Sequence, residues 1–463
     1  MIRLFKVFIP VGTLTLLVSE ILLVTTAFIF AAYLNMEVDP TVYLLYEGGL
    51  GRIMLVVVSI LIGLHFLDLY SRVYVKSRIV LLQQLCLVMG VAFVTQGLIT
   101  YLNASLRVPI TVMVWGSAIA VVAIYFWRIL FSAYAFQLMG LDRLLLVGGS
   151  PLLEDIGQYI VDHPETGLEV AGYLDDLHQA GDTLPGGKFL GPVESLHDIV
   201  HAVQPHRIVV GLSERRSRMP VGELLELRFA GNIIEEAANT YERVCGRVCL
   251  REIRPAQLIF SGELGPRRQN LLYQRVSNMV VAVIGIIVSF PIILLTALAV
   301  RLTSAGPVLY RQTRVGLDGA PFTVYKFRSM RVDAEVGTGA VWARKDDPRV
   351  TSVGRFIRAI RFDELPQLYN VIKGEMSIVG PRPERPEFVK ALSEQIPYYR
   401  QRHCVRPGIT GWAQINYKYG DTLEDTITKL EYDLYYIKNM SMALDTYIIF
   451  HTLKAMMLSR GAQ

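Results

Sequence analysis

Long apolar stretches dominate the front of the chain. Runs at Val7–Leu34, Ile53–Leu67, Ile79–Leu102 and Pro109–Phe131 each hold at most one charged residue, and the second reaches full length once Leu50 and Gly51 are counted with it. A hydrocarbon core of roughly 30 Å takes about 20 helical residues to cross, so each run predicts a transmembrane helix. The first is too long for the apolar region of a signal peptide, and no small-residue cleavage site follows it. From about Asp142 the pattern changes to short apolar runs, "RLLLVGGS", "LEVAGYLDD", "HRIVVGL" and "NIIEEAA", separated by segments of helical spacing. This alternation predicts parallel strands joined by crossover helices, a doubly wound Rossmann-like sheet. Ser150 and Pro151 open its first helix as cap and first-turn residue. A fifth apolar run covers Val276–Val300, with Pro291 inside it.

Composition supports a membrane protein: 52% of the 463 residues are hydrophobic, 19% are charged, and mean hydropathy is +0.38. Soluble domains of this length are rarely so poor in charge. The net charge of +5 is mild and predicts no nucleic-acid partner. Its placement says more. Among the loop charges, Arg3 and Lys6 precede the first run, "NMEVDP" after it is acidic, "YSRVYVKSR" after the second is basic, "NASLR" after the third holds one Arg, and Arg128 and Arg143 follow the fourth. The positive-inside rule then puts both ends of a four-helix bundle in the cytoplasm. Glu20, mid-membrane, reads as a carboxyl satisfied by helix packing. The four cysteines read as structural residues. Cys245 and Cys249 lack the second pair that a zinc site needs.

The fifth run has two readings. A straight span would place everything after Arg301 outside the cell, yet Arg267, Arg268, Arg275 and Arg301 make both flanks basic. Pro291 lacks an N–H and kinks or breaks a helix, and Ser289 could satisfy a carbonyl freed by that break. A helix that enters, bends and returns keeps both flanks cytoplasmic, and this re-entrant form is preferred. In the sheet domain, Gly148-Gly149-Ser150 resembles the start of a dinucleotide fingerprint. However, Ser150 and Leu153 stand where its second and third glycines belong, so no NAD chemistry is expected.

Between Arg301 and Arg361 there are twelve Lys/Arg against five Asp/Glu, a basic face suited to lipid headgroups and to bidentate phosphate binding. "RQTRVGLDGAPFTVYKFRSM" reads as a hairpin turning at Asp318-Gly319, with Lys326 and Arg328 on its second strand. Asp363 and Glu364 precede Pro366, which opens a helix whose positive end favours both ionised carboxylates. An ionised Asp can attack phosphorus, and its neighbour can hold Mg²⁺ through hard oxygens. Two acids at a helix start are, taken alone, more often caps.

The motifs "RQTRVG", "YKFRSM", "DDPRVTSVGRFIR", "DELPQLYNVIKGEMSIVGPRPE", "RHCVRPGITGWAQIN" and "LEYDLYYIKNMSMALD" together resemble the bacterial sugar transferase family, in order from about Leu271 to the C-terminus. These are polyprenyl-phosphate glycosyl-1-phosphate transferases. The resemblance implies the long form of the family: four transmembrane helices over residues 1–135, a Rossmann-like cytoplasmic domain over 140–260, and a re-entrant helix with an α/β catalytic domain over 271–463. It further implies a multi-pass protein of the bacterial inner membrane, with its catalytic domain facing the cytoplasm.

The implied reaction moves a sugar 1-phosphate from a UDP-sugar, glucose or galactose being typical, to undecaprenyl phosphate. Asp363 matches the family's nucleophile and Glu364 the acid that binds Mg²⁺. Arg382, held between Pro381 and Pro383, matches a rigid phosphate contact. Arg349, Lys326 and Arg328 are further expected contacts to diphosphate or lipid phosphate. Phe362 stands where the family commonly has leucine. Small members resemble only the C-terminal part, which implies that the front is not needed for chemistry. The bilayer is the other expected partner, and a homo-oligomer is compatible with the chain.

The competing reading is a non-catalytic membrane assembly or sensor protein. The intact dyad and Pro-Arg-Pro argue against it. A nucleotide-sugar epimerase or dehydratase would need Tyr-x-x-x-Lys, and Tyr159, Tyr173 and Tyr241 are followed at that spacing by His163, Leu177 and Cys245. Near the C-terminus, Trp412 suits either a membrane-interface anchor or a core aromatic. "YIIFHTLKAMML" suits a helix lying in the interface, too short to span.

Overall fold

The computed structural model describes residues 2–4, 7–9, 11–36, 39–67, 69–70, 78–135, 141–179, 182–211, 219–251, 268–332, 334, 347, 349–417 and 422–457. The first four apolar runs form α1 (Val11–Asn35), α2 (Gly49–Phe66), α3 (Arg78–Leu102) and α4 (Ile110–Leu130). Each is long and apolar enough to cross a membrane. Helix α1 starts later than its apolar run, since Val7–Ile9 pairs with Ile2–Leu4 in a small sheet. The facing sides of the helices bury Leu16, Phe28, Ile53, Ile60, Leu85 and Ile124, while Leu22, Phe30, Leu98 and Phe126 point outward as lipid-facing side chains do. Gly116 lets α1 and α4 approach closely, for a Cβ there would fall 2.5 Å from the Phe28 ring.

Arg128 corrects one expectation. It is not a loop charge: it lies inside α4 on the face that carries Ser117, Ala120 and Ile124 toward the core. Its Nε stands 2.6 Å from Glu20 Oε1. Its Nη2 donates to Glu20 Oε2 at 3.0 Å, and its Nη1 donates to the Leu69 carbonyl at 2.7 Å. The Tyr70 hydroxyl donates to the same Glu20 oxygen at 2.5 Å. Glu20 is thus held by packing partners: Oε2 accepts both hydrogen bonds, and Oε1 faces Arg128 as an ion pair without a hydrogen bond of its own.

The alternating segment forms β1 (Asp142–Val147), α5 (Pro151–Asp162), β2 (Leu168–Leu174), β3 (Thr183–Leu184), β4 (Gly187–Gly191), α6 (Leu196–Val203), β5 (Arg207–Val210), α7 (Val221–Phe229) and β6 (Ile233–Glu236). The strand order is β3-β4-β2-β1-β5-β6, parallel except for the β3–β4 edge. The chain moves outward from β1 and then returns to its other side, the doubly wound arrangement. Ser150 caps α5, accepting from the Leu152 amide at 3.2 Å.

The chain divides into two compact units, one containing Phe8–Thr240 and the other Tyr241–Gln463; Met1–Leu4 counts with the first and Phe5–Val7 with the second. Helix α8 (Ala237–Cys245) crosses the division in sequence. Within the second unit, residues just after it are tied to the C-terminal part of the chain. The amides of Val248 and Leu250 donate to the Glu431 carbonyl and carboxylate at 3.2 and 2.9 Å.

That unit continues with α9 (Arg268–Thr303), the hairpin β7 (Leu309–Val315) and β8 (Pro321–Phe327), α10 (Ser352–Ala359), α11 (Gln367–Lys373), β9 (Ser377–Val379), α12 (Pro386–Gln395), β10 (Gly408–Thr410), α13 (Trp412–Asn416), α14 (Leu423–Asn439) and α15 (Met442–Met457). The hairpin is antiparallel, with Val315 opposite Pro321 and Asp318 in its turn at φ +53. Helix α15 docks one face through Leu444 and Ile448. The chain is therefore a multi-pass membrane protein with α/β structure.

Candidate active site

A short 3₁₀ turn, Phe362–Glu364, carries the acid pair between α10 and α11. Arg361 just before it has φ +57, a left-handed conformation uncommon outside glycine. This reversal sends both carboxylates into the body, where Asp363 is 8% and Glu364 9% exposed. Glu364 Oε1 accepts from Lys326 Nζ and from Arg382 Nη2, each at 3.0 Å. Lys326 comes from β8 and Arg382 from the turn after β9, so residues far apart in sequence meet at one oxygen.

The two acids titrate apart. Burial pushes Asp363 up to about 6, helped by the Glu364 charge and resisted by Lys326, Arg358 and Arg382. Burial also pushes Glu364 upward, but the Lys326, Arg382 and Arg361 charges outweigh it and hold the group below the usual carboxylate range. The expectation that both stay readily ionised therefore holds for Glu364 alone. The dyad lies ahead of Gln367, where α11 begins, and burial dominates at Asp363. Arg358 and Arg361 were not singled out from sequence; only the fold brings their charge to bear on the dyad.

The Pro-Arg-Pro turn is fixed by its carbonyls. Gly408 N donates to the Pro381 oxygen at 2.9 Å, Arg402 Nη2 to the Arg382 oxygen at 3.0 Å, and Arg314 Nη1 to the Pro383 oxygen at 3.0 Å. Buried Arg402 is itself paired with buried Asp433 of α14 at 2.8 Å. The glycines of "VGPRP" and "RPGITG" follow from closeness: a Cβ on Gly408 would fall 2.1 Å from the Gly380 nitrogen, and one on Gly411 2.3 Å from the Gly380 oxygen. Arg382 Nη1 also donates to Gln414 Oε1 at 3.3 Å. Gln414, Arg402 and Asp433 were missed from sequence; proximity to Trp412 in "GITGWAQIN" was the one available hint for Gln414.

Other expected residues have different surroundings. Arg328 donates to the carbonyls of Ala305 and Ser304 at 2.8 and 2.7 Å and to Ser304 Oγ at 2.7 Å, binding the end of α9 to β8. Arg349 forks onto Asp347 of its own motif, Nε to Oδ1 at 2.8 Å and Nη2 to Oδ2 at 2.5 Å. Ser289 donates to the Gly285 carbonyl at 2.5 Å. The carbonyl that Pro291 leaves without its donor, four residues back, belongs to Ile287. Helix α9 runs through Pro291 without interruption. Trp412 is a core aromatic: it is buried, stacks on Tyr435 with centroids 5.6 Å apart, and donates to the Gly246 carbonyl at 2.7 Å.

No group of three or more His, Cys, Asp or Glu converges as a metal cage among the described residues. Mg²⁺ does not require one, since it commonly takes one or two carboxylates together with substrate phosphates. Ionised Glu364 beside Asp363 is a hard-oxygen donor of that kind, so the residues fit.

Residues 269–459 match the family model described as bacterial sugar transferase. The chain is 44% identical over 222 residues to a UDP-N-acetylgalactosamine-undecaprenyl-phosphate N-acetylgalactosaminephosphotransferase of Aeromonas hydrophila, covering 48% of this chain and 52% of that one. It is 45% identical over 312 residues to a UDP-glucose:undecaprenyl-phosphate glucose-1-phosphate transferase of Escherichia coli K12, covering 66% and 65%. It thus spans less than two thirds of the length of either. With the uncharacterized sugar transferase EpsL of Bacillus subtilis it shares 40% identity over 193 residues, 42% of this chain and 91% of that one.

Proposed function

The chain belongs to the bacterial sugar transferase family, and we propose that it transfers a sugar 1-phosphate from a UDP-sugar to undecaprenyl phosphate. The reaction would take place at the cytoplasmic face of the bacterial inner membrane and begin exopolysaccharide or other glycoconjugate synthesis. One observation carries the reading: Asp363 is buried beside a carboxylate that Lys326 and Arg382 already hold ionised. Asp363 is left as the nucleophile.

Its carboxylate oxygen forms a bond to the sugar-bearing phosphorus as the bond from that phosphorus to the UMP oxygen breaks, and UMP leaves with the electron pair. The aspartyl-phosphosugar then loses its sugar phosphate to an oxygen of undecaprenyl phosphate, which regenerates the carboxylate. Lys326 and Arg382 face the charge of the donor diphosphate. Glu364 is the residue to hold Mg²⁺, which when bound neutralises diphosphate charge. The decisive experiment is UMP release with undecaprenyl phosphate across UDP-glucose, UDP-galactose and UDP-N-acetylgalactosamine. No release from any of them would favour the non-catalytic reading.

A nucleophile that must be ionised predicts an acid limb. With Asp363 near 6, UMP release should rise with pH through about 6 and level off above 7. A flat profile from pH 5 to 8 would argue against Asp363 as the attacking group.

We also read α9 as re-entrant. Its 36 residues extend roughly 54 Å at helical rise, well beyond one hydrocarbon thickness. Near its start, Gln274 donates to the Tyr436 hydroxyl and Asn278 to Ser377 Oγ, both at 2.8 Å. At its end, Val300 packs with Phe327 and Ile357, and Ser304 holds Arg328. Contacts at both ends to one compact unit support a path that enters and leaves on the same side. Cysteines replacing exposed Leu272 and Leu302, with Cys86 and Cys404 changed to serine, should both react only from the cytoplasmic side. Labelling of the Leu302 position from outside would mean that α9 spans.

A further inference from the structure

We propose that Gln414 is a further substrate-binding residue, whose carboxamide N–H donates a hydrogen bond to an oxygen of the sugar-phosphate group of the donor. The proposal rests on the functional reading above. The two ends of this side chain are told apart by their neighbour. Arg382 can only donate, and its Nη1 meets Gln414 Oε1 at 3.3 Å, so Nε2 is the end that remains. Nε2 is buried and has no hydrogen-bond partner among the described residues. Folded proteins leave few buried amide donors unpaired, because the lost hydration is not regained. The same guanidinium that holds Gln414 also holds Glu364, through Nη2 at 3.0 Å. An unspent donor one side chain away from the dyad is accounted for when the substrate brings the acceptor. A sugar phosphate is rich in acceptor oxygens.

The backbone holds Gln414 in that place. Gly411, which precedes α13, lies so close to the Gly380 carbonyl that a Cβ would fall 2.3 Å from its oxygen. The start of α13 therefore abuts the strand that leads into Pro-Arg-Pro. Trp412 locks the next position, stacked on Tyr435 and donating to the Gly246 carbonyl at 2.7 Å. With both positions fixed, α13 has little freedom to carry Gln414 elsewhere, and a pre-placed donor is what substrate recognition uses.

Gln414→Glu separates this role from mere support of Arg382. The variant keeps the oxygen that accepts from Arg382, now charge-assisted, and replaces the donor by a second acceptor. In the full-length chain, Gln414→Glu should lower kcat/KM for UMP release at least ~10-fold and raise the Kd for the UDP-sugar similarly, while Tm stays within about 2 °C of wild type. Gln414→Leu should lose comparable affinity. If Gln414 only oriented Arg382, the Glu variant would keep wild-type Kd and turnover while Leu lost them, and that pattern overturns the proposal. Should Gln414→Glu fail to fold, Gln414→Met carries the test, and an unchanged Kd sinks the idea. Wild-type chain that binds UDP-sugar without releasing UMP would end the functional reading yet leave the Kd comparison to judge Gln414. Wild-type chain that binds no UDP-sugar ends both.

Discussion

Asp363→Asn should abolish UMP release, by at least ~10³-fold as expected for a lost nucleophile, while making the protein more stable. The two effects have one origin. Burial raises the Asp363 carboxyl to about 6, against an ordinary value of 3.8. A raised carboxyl contributes stability that is fully present below the unfolded value and is lost as pH rises through the folded one, the reverse of a salt-bridged carboxylate. At pH 7.5 the ionised form therefore weakens the fold by roughly 2–3 kcal/mol. Asparagine keeps the shape and removes the charge, so Tm in detergent should rise at pH 7.5 and the gain should shrink toward pH 5. Wild-type chain given donor labelled in its sugar phosphate should retain label until undecaprenyl phosphate is added, and the variant should retain none. Near-normal turnover in Asp363→Asn would remove the proposed nucleophile.

The stability gain distinguishes this site from an ordinary ion pair. Glu364 titrates in the opposite direction, because Lys326 and Arg382 compensate its burial. Removing its charge leaves two half-buried cations without their counter-charge, so Glu364→Gln should lose both activity and stability.

How much of this was legible depended on where each determinant lay along the chain. The dyad and Pro-Arg-Pro are contiguous motifs, and the resemblance to the sugar transferase family, rather than their residue types alone, made them legible as a candidate site. The long apolar runs, the doubly wound sheet and the Asp318-Gly319 hairpin were legible because each expresses one local period or turn. Arg328 carried the right chemistry for phosphate but serves the carbonyls of Ser304 and Ala305, and residue type alone cannot distinguish those acceptors. Arg402 and Asp433 were invisible because their pairing joins the segment before β10 to α14, and each taken alone reads as a surface charge. The amides of Val248 and Leu250 likewise find Glu431 across more than 180 positions. For Asp363 the sequence placed it near a positive helix end, whereas burial, a property of the assembled fold, set the sign of its shift.

The largest stability loss is expected in the other compact unit, at Glu20. Its carboxylate meets Arg128 and Tyr70 in the bundle core, with Glu20 0% and Arg128 3% exposed. Glu20→Ala strands the guanidinium in an apolar surrounding, and breaking a buried pair from one side costs about 3–5 kcal/mol. Replacing both partners by apolar residues, Glu20→Leu with Arg128→Met, should recover most of that loss, because no uncompensated charge remains. If the double variant is no better than Glu20→Ala, the pair is not the origin of the loss. Folded molecules of either variant should release UMP at the wild-type rate, since Glu20 and Arg128 belong to the compact unit that ends at Thr240 and the dyad belongs to the other. A fall in turnover per folded molecule, with Tm restored, would instead mean that the front of the chain takes part in the reaction.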